Sequence, residues 1–149
     1  MELNFTYITQ ELINHIKLWH EDEETNKRIG IDDIDEFYSY VKSRLDYFIW
    51  VVSDNGELVG ELCVELTSYR RAAISYIINP SKRNRGYCLR MLREMINLKE
   101  LSYIEYFDAW VDSDNYPSIK CLEQSGFTRQ NQDPEDNNLL HYVLKIPRN

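Results

Sequence analysis

The chain has 149 residues, 17 basic against 25 acidic, for a formal net charge of −8, which suits one ordinary domain and argues against a nucleic-acid binder. At 43% hydrophobic and 28% charged it is too apolar to be disordered, and no run reaches the roughly 18 uncharged apolar residues of a membrane span. Three scattered cysteines, Cys63, Cys88 and Cys121, lack C-x-x-C spacing and paired histidines, so neither a disulfide frame nor a metal site is expected.

The N-terminal stretch MELNFTYITQ lacks the basic and apolar regions of a signal peptide, so residues 1–149 are expected to form a single cytoplasmic domain. LNFTYIT reads as a first strand. Leu12, Ile13, Ile16 and Trp19 then mark a helix, and Ile34, Phe37, Tyr38, Val41 and Leu45 the apolar stripe of a second. DYFIWVVSDNGELVGELCVEL is two strand-like runs about Asn55-Gly56, a dipeptide that tolerates positive φ and predicts a tight hairpin. AAISYIINP is a further strand, followed by a helix carrying Cys88, Met91, Leu92, Met95 and Ile96. IEYFDAWV is a strand, YPSIKCLEQSG a short helix with Pro117 near its start and Gly126 past its end, and LLHYVLKI a last strand. The predicted class is α/β: a mixed, mostly antiparallel central sheet flanked by helices, in the order β-α-α-β-β-β-α-β-α-β-β.

NPSKRNRGYCLRML, residues 79 to 92, crowds Lys82, Arg83, Arg85 and Arg90 around Gly86 at a strand-to-helix junction of an acidic protein. A helix start offers backbone N–H groups without intrahelical partners and about half a positive charge, so it holds an anion well. Glycine lets the anion reach the backbone, and the planar fork of arginine matches phosphate oxygens. The alternative is a solvated charge run whose arginines pair with surface carboxylates. Neither G-x-x-x-x-G-K-[ST] nor G-x-G-x-x-G is present, which removes two familiar phosphate motifs.

RNRGYC following YIINPSK, with DAWVDSDNYPSIKCLEQSGF further on, resembles the paired cofactor motifs of the GNAT family of N-acetyltransferases, [Q/R]-x-x-G-x-[G/A] and a strand, Asn, short helix and Gly-Phe. Together they span roughly residues 72 to 127. The resemblance implies acetyl-CoA as co-substrate, with the backbone of Arg83, Asn84, Arg85, Gly86, Tyr87 and Cys88 wrapping its pyrophosphate. Tyr76, Ile77 and Ile78 would offer strand edge to the pantetheine amides, and Asn115 and Ser118 would touch the pantetheine arm. Cys88 departs from the pattern, because Gly or Ala is usual there. As the first member of a helical apolar stripe it is expected to be a core residue.

Transfer to a lysine-like amine requires a deprotonation costing roughly 4 to 5 kcal/mol at pH 7, so a base normally helps. The resemblance implies a glutamate at Ala72-Ala73 or at Trp110 and a proton-donating tyrosine at Leu122, and all these positions are vacant. Strand alternation places Glu61, Cys63 and Glu65 on one face, opposite Leu62, Val64 and Leu66. Glu61 and Glu65 are therefore candidates to bind a cationic amine or route its proton, against the alternative of a solvated strand face. Asp108 and Trp110 alternate likewise and are candidate walls of the cleft, with a plain core position the alternative for Trp110; His141 is a further candidate base, and the hydroxyl of Tyr116 or Tyr87 could supply the missing acid.

The expected function is transfer of an acetyl group to a primary amine, either of a polycationic small molecule, which the acidic balance favours, or of a peptide or protein N-terminus. LWHEDEETNKRIGI resembles the branch with ribosomal-protein N-terminal and aminoglycoside 6'-type acetyltransferases. A homodimer is compatible with this reading, and neither nucleic acid nor membrane is an expected partner. The alternatives are an acyl-CoA-binding module that has lost its chemistry and serves sensing or assembly, and a surface for some other phosphate ligand.

Overall fold

The computed structural model describes residues 2–131 and 138–148. β1 (Asn4–Tyr7) leads into α1 (Gln10–Ile16), a 3-10 turn (Lys17–Glu21), α2 (Glu23–Arg28) and α3 (Ile34–Lys42). β2 (Tyr47–Asp54), β3 (Glu57–Ser68) and β4 (Arg71–Ile78) follow, then a 3-10 turn (Pro80–Lys82) and α4 (Tyr87–Met95). Beyond a third 3-10 turn (Lys99–Leu101) come β5 (Tyr106–Asp112), α5 (Tyr116–Gln124), β6 (Thr128–Arg129) and β7 (Leu139–Lys145). The strands hydrogen-bond in the order β1-β2-β3-β4-β5-β7-β6. The β4–β5 pairing is parallel, while β1–β2, β5–β7 and β6–β7 are antiparallel. The mixed, mostly antiparallel sheet and the order of elements agree with expectation, with α2 inserted.

α2 was not anticipated because its sequence, EETNKR, has no apolar stripe. It forms on end effects instead: the Asp22 carboxylate accepts the Thr25 N–H at 3.0 Å as an N-cap, Glu23 and Glu24 fill the first turn, and Lys27 and Arg28 the last. α3 corrects the helical stripe at its far end. The helix stops at Lys42, capped by Ser43, so Leu45 falls beyond it and is 98% exposed.

Contacts group the residues into two compact units, Met1–Val64 with Tyr76–Tyr87, and Glu65–Ser75 with Cys88–Asn149. In the first, Ile13, Ile16, Trp19, Tyr38 and Val41 from the helical side pack with Ile49, Val51, Cys63 and Ile77 from the strands. Burying each large apolar side chain among them contributes about 1.5–3 kcal/mol. The β2–β3 hairpin turns at Asn55 (φ 51) and Gly56 (φ 82), the two left-handed positions of a tight turn that follows strand twist.

In the second unit β5 runs antiparallel to β7 with Phe107 opposite Leu144 and Ala109 opposite Tyr142, all buried. The alternate residues pair on the other face, Tyr106 with Lys145, Asp108 with Val143 and Trp110 with His141. α4 buries Met91, Leu92 and Met95, and α5 buries Cys121 and Leu122. Cys88, expected in the core, is only half-buried, because it lies in the first turn of α4, where Tyr87, Leu89 and Arg90 are half-buried too.

Candidate active site

The junction ahead of α4 is anchored residue by residue. The Asn79 side chain donates to the Leu58 carbonyl at 2.8 Å and accepts from the Ser81 N–H at 3.1 Å. Lys82 pairs with Glu57, and the Arg83 guanidinium reaches Asp22 at 2.5 Å and Thr25 Oγ1 at 3.1 Å. Lys82 and Arg83 are thus paired with carboxylates, as the charge-run alternative foresaw. Arg83 holds the Asp22 carboxyl down to about 2, helped by the Thr25 N–H. What is left outward is Asn84, Arg85 and Gly86, all exposed, with Asn84 at φ 63 and Gly86 at φ 80. Left-handed positions in a turn are how successive backbone N–H groups come to line an anion site, and an ideal Cβ on Gly86 would meet nothing within 4 Å. Tyr87 starts the helix and its hydroxyl donates to Asp54 at 2.8 Å.

Upstream, Tyr76 and Ile78 are half-buried and Ile77 is buried at the end of β4. Asn115 sits at the N-cap of α5 yet makes no side-chain capping bond. Pro117, in the first turn, has no N–H to be capped. Asn115 and Ser118 are half-buried, and Tyr116 between them is 72% exposed. A hydrogen bond from Cys88 holds the Cys121 thiol below its ordinary value.

Glu61 and Glu65 part company. β3 is buried continuously from Val59 to Val64, so alternation along it does not separate a wet face from a dry one. Glu61 is 2% exposed; Tyr38 donates a short hydrogen bond to its Oε2, and the Cys63 thiol to its Oε1 at 3.6 Å. Burial pushes the carboxyl up to about 7, against those two hydrogen bonds. Burial likewise drives the Tyr38 phenol far above its usual range. The Tyr38 oxygen lies 3.1 Å from His20 Nε2, and His20 Nδ1 is buried without a hydrogen-bond partner among the described residues. Glu65 is half-buried further along the strand.

A second polar cluster lies on β4, β5 and β7. Arg71 grips Asp108 with two hydrogen bonds, Nε to Oδ2 at 2.6 Å and an Nη to Oδ1 at 2.7 Å, and His141 Nε2 lies 2.7 Å from the same Oδ1. Asp108 is 4% exposed. Burial alone would raise its carboxyl, but Arg71 and His141 outweigh it and hold the group below its ordinary value. Trp110, expected as a core residue or a wall, is 52% exposed and stacks on the His141 ring, centroids 4.6 Å apart and planes within 4°. Arg71 and its bidentate grip escaped the sequence reading, as did Tyr38 and His20. Their partners are distant in the chain, and no local spacing signals them.

Among the described residues no group of three or more His, Cys, Asp or Glu side chains could hold a metal ion, and no helix is long and apolar enough to cross a membrane.

Residues 11–127 match the family model described as acetyltransferase (GNAT) family. The chain is 26% identical over 143 residues, 95% of each protein, to the uncharacterized N-acetyltransferase YfmK of Bacillus subtilis. Its fold is similar to that of the aminoglycoside acetyltransferase AAC(6')-Ib solved with coenzyme A and kanamycin, at 15% identity and a TM-score of 0.82, covering 97% of this chain and 95% of that one. It is also similar to the spermidine N-acetyltransferase of Vibrio cholerae solved with CoA and spermine, at 13% identity and a TM-score of 0.84, covering 97% and 95%.

Proposed function

The chain belongs to the acetyltransferase (GNAT) family, and from that premise we propose that it moves the acetyl group of acetyl-CoA to the primary amine of a small cationic molecule or of a peptide or protein. The observation that carries the reading is the exposed run Asn84–Arg85–Gly86, with left-handed turns at Asn84 and Gly86 directly ahead of α4. Its backbone, with Arg85 beside it, is suited to a diphosphate. Arg83, Tyr87 and Cys88 frame that loop, Tyr76 to Ile78 supply strand edge to the pantetheine amides, and Asn115 with Ser118 takes the arm.

The reaction forms one C–N bond and breaks the C–S bond. The thiolate takes up a proton, and one proton of the starting ammonium is released. We assign the exposed Tyr116 hydroxyl to the thiolate, and Glu65 to attracting the positively charged acceptor. Glu61, with both oxygens bonded by Tyr38 and Cys63, braces β3 and holds a proton near neutral pH without touching substrate. A cationic acceptor agrees with the net charge of −8 and with the kanamycin and spermine carried by the two similar structures.

The vacancy of carboxylates at Ala72, Ala73 and Trp110 favours a second reading, an acyl-CoA-binding module without turnover. Calorimetry with acetyl-CoA and thiol release across a panel of polyamines, aminoglycosides and peptides separate the two. Binding with release on at least one amine supports the transferase, binding with none supports the module, and no binding removes both.

A further inference from the structure

We propose that His141, oriented by Asp108, is the base that takes the proton from the acceptor ammonium, a role that rests on the acetyltransferase reading above. The arrangement has the parts of a base with its orienter. Asp108 is buried, and its carboxyl lies below its ordinary value, so it is ionised at neutral pH and only accepts. The 2.7 Å contact to Oδ1 therefore puts the ring hydrogen of neutral His141 on Nε2, and Nδ1 is the nitrogen that accepts a proton.

One further contact bears on the ring itself, and two others hold its carboxylate partner and its strand. Trp110 stacks against it in register across the β5–β7 pair, with planes within 4°. Arg71 locks Asp108 from β4 with two bonds, and Gln130 donates its backbone N–H to the His141 carbonyl at 2.8 Å. Asp108 bears on the imidazole directly and Arg71 through it. The His141 side chain is 23% exposed and its stacking partner Trp110 is 52% exposed, so the ring is reached from solvent. β5 leaves this stack only two residues before its end at Asp112 and then turns to present Asn115 at the start of α5. The candidate base and the candidate cofactor side chain are therefore delivered by one continuous strand and turn.

In the step proposed, the ammonium loses a proton to Nδ1, directly or through one water. The free amine attacks the thioester carbonyl, the C–S bond breaks, and the second nitrogen proton balances the thiolate. His141 then returns its proton to solvent. Asp108 is a positioning residue, since it acts only through the ring.

The test follows thiol release from acetyl-CoA between about pH 6 and pH 10, with spermine and a lysine-free peptide among the panel amines, beside acetyl-CoA calorimetry and thermal melts. His141→Gln keeps an N–H donor toward Asp108 but no base. Near pH 7 its kcat is expected to fall about 10²–10⁴-fold, with acetyl-CoA affinity and Tm unchanged. The loss should shrink as pH rises and free amine appears in solution. It should also be smaller for the peptide N-terminus, ordinarily near pKa 8, than for lysine-type amines near about 10.4. Asp108→Asn should lower kcat by about tenfold or more with KM little moved, and added imidazole should partly restore His141→Ala. Unchanged kcat and pH profile in His141→Gln, with an active wild type, overturns the assignment and leaves the transferase reading intact. An equal loss at every pH together with a lowered Tm means a structural histidine and also overturns it. Acetyl-CoA binding with no release on any amine, or no binding at all, removes the transferase reading and this one with it.

Discussion

Replacing Glu61 by glutamine should change how the stability of the protein depends on pH. The carboxyl is 2% exposed, and burial raises it from an ordinary 4.5 to about 7. A group whose folded pKa lies above its unfolded value binds protons more tightly when folded. Its stabilising contribution is whole below about pH 4.5 and disappears as pH rises through about 7. The shift is 7 − 4.5 = 2.5 units, which at about 1.36 kcal/mol per unit amounts to about 3 kcal/mol. Glutamine fills nearly the same volume, offers Tyr38 an acceptor and does not titrate. The stability difference between wild type and Glu61→Gln should therefore move by about 3 kcal/mol in favour of the variant between pH 4.5 and pH 8, or roughly 6–12 °C in Tm for a chain of this size. His20, lowered by burial, acts with the opposite sign, gaining stability as pH rises toward its ordinary value of 6.5, but it is present in both proteins and cancels in the difference. Urea unfolding of both at pH 4.5, 6 and 8 measures it. A difference constant to within about 0.5 kcal/mol across that range, near the error of such extrapolations, refutes the buried, proton-holding state of Glu61.

Gly86→Ala meets no steric obstacle, since nothing lies within 4 Å of the added carbon, so its effect should come from the backbone at φ 80: about 1 kcal/mol of strain, read as several-fold weaker acetyl-CoA binding by calorimetry. Unaltered affinity would detach the loop from the cofactor. Arg85→Ala should weaken acetyl-CoA binding and flatten its salt dependence while leaving Tm in place, whereas Arg83→Ala should lower Tm as well, because only Arg83 is tied to Asp22 and Thr25; identical behaviour of the two contradicts that division. Tyr116→Phe should reduce kcat about tenfold or more without changing acetyl-CoA affinity, and an unchanged kcat in thiol release removes the assigned acid.

The parts of the fold that were legible before any coordinates are those written in local chemistry. Asn55-Gly56 demanded left-handed angles and has them, and Pro117 and Gly126 bracket α5 as helix punctuation should. The stripe Met91, Leu92, Met95 named the buried side of α4. Legibility fails where the deciding partner is remote. Nothing near Arg83 reveals that Asp22, 61 residues away, will hold it. Alternation correctly grouped Glu61 with Cys63, but whether that face is wet depends on Tyr38 arriving from α3. His141 was a lone strand histidine until β5 brought Asp108 and Trp110 against it. Helix α2 shows a further limit, since an apolar period cannot announce a helix stabilised by its ends.

One carboxylate, Asp22, both caps α2 and neutralises Arg83. That makes it a resident rival for any incoming anion: a diphosphate that recruits this guanidinium must first win it from Asp22. Net affinity then registers only the surplus of the new contact over the old one, while Asp22 keeps its cap on the Thr25 N–H. A weakly charged ligand would leave the Arg83–Asp22 pair closed, and only a strongly charged one would open it.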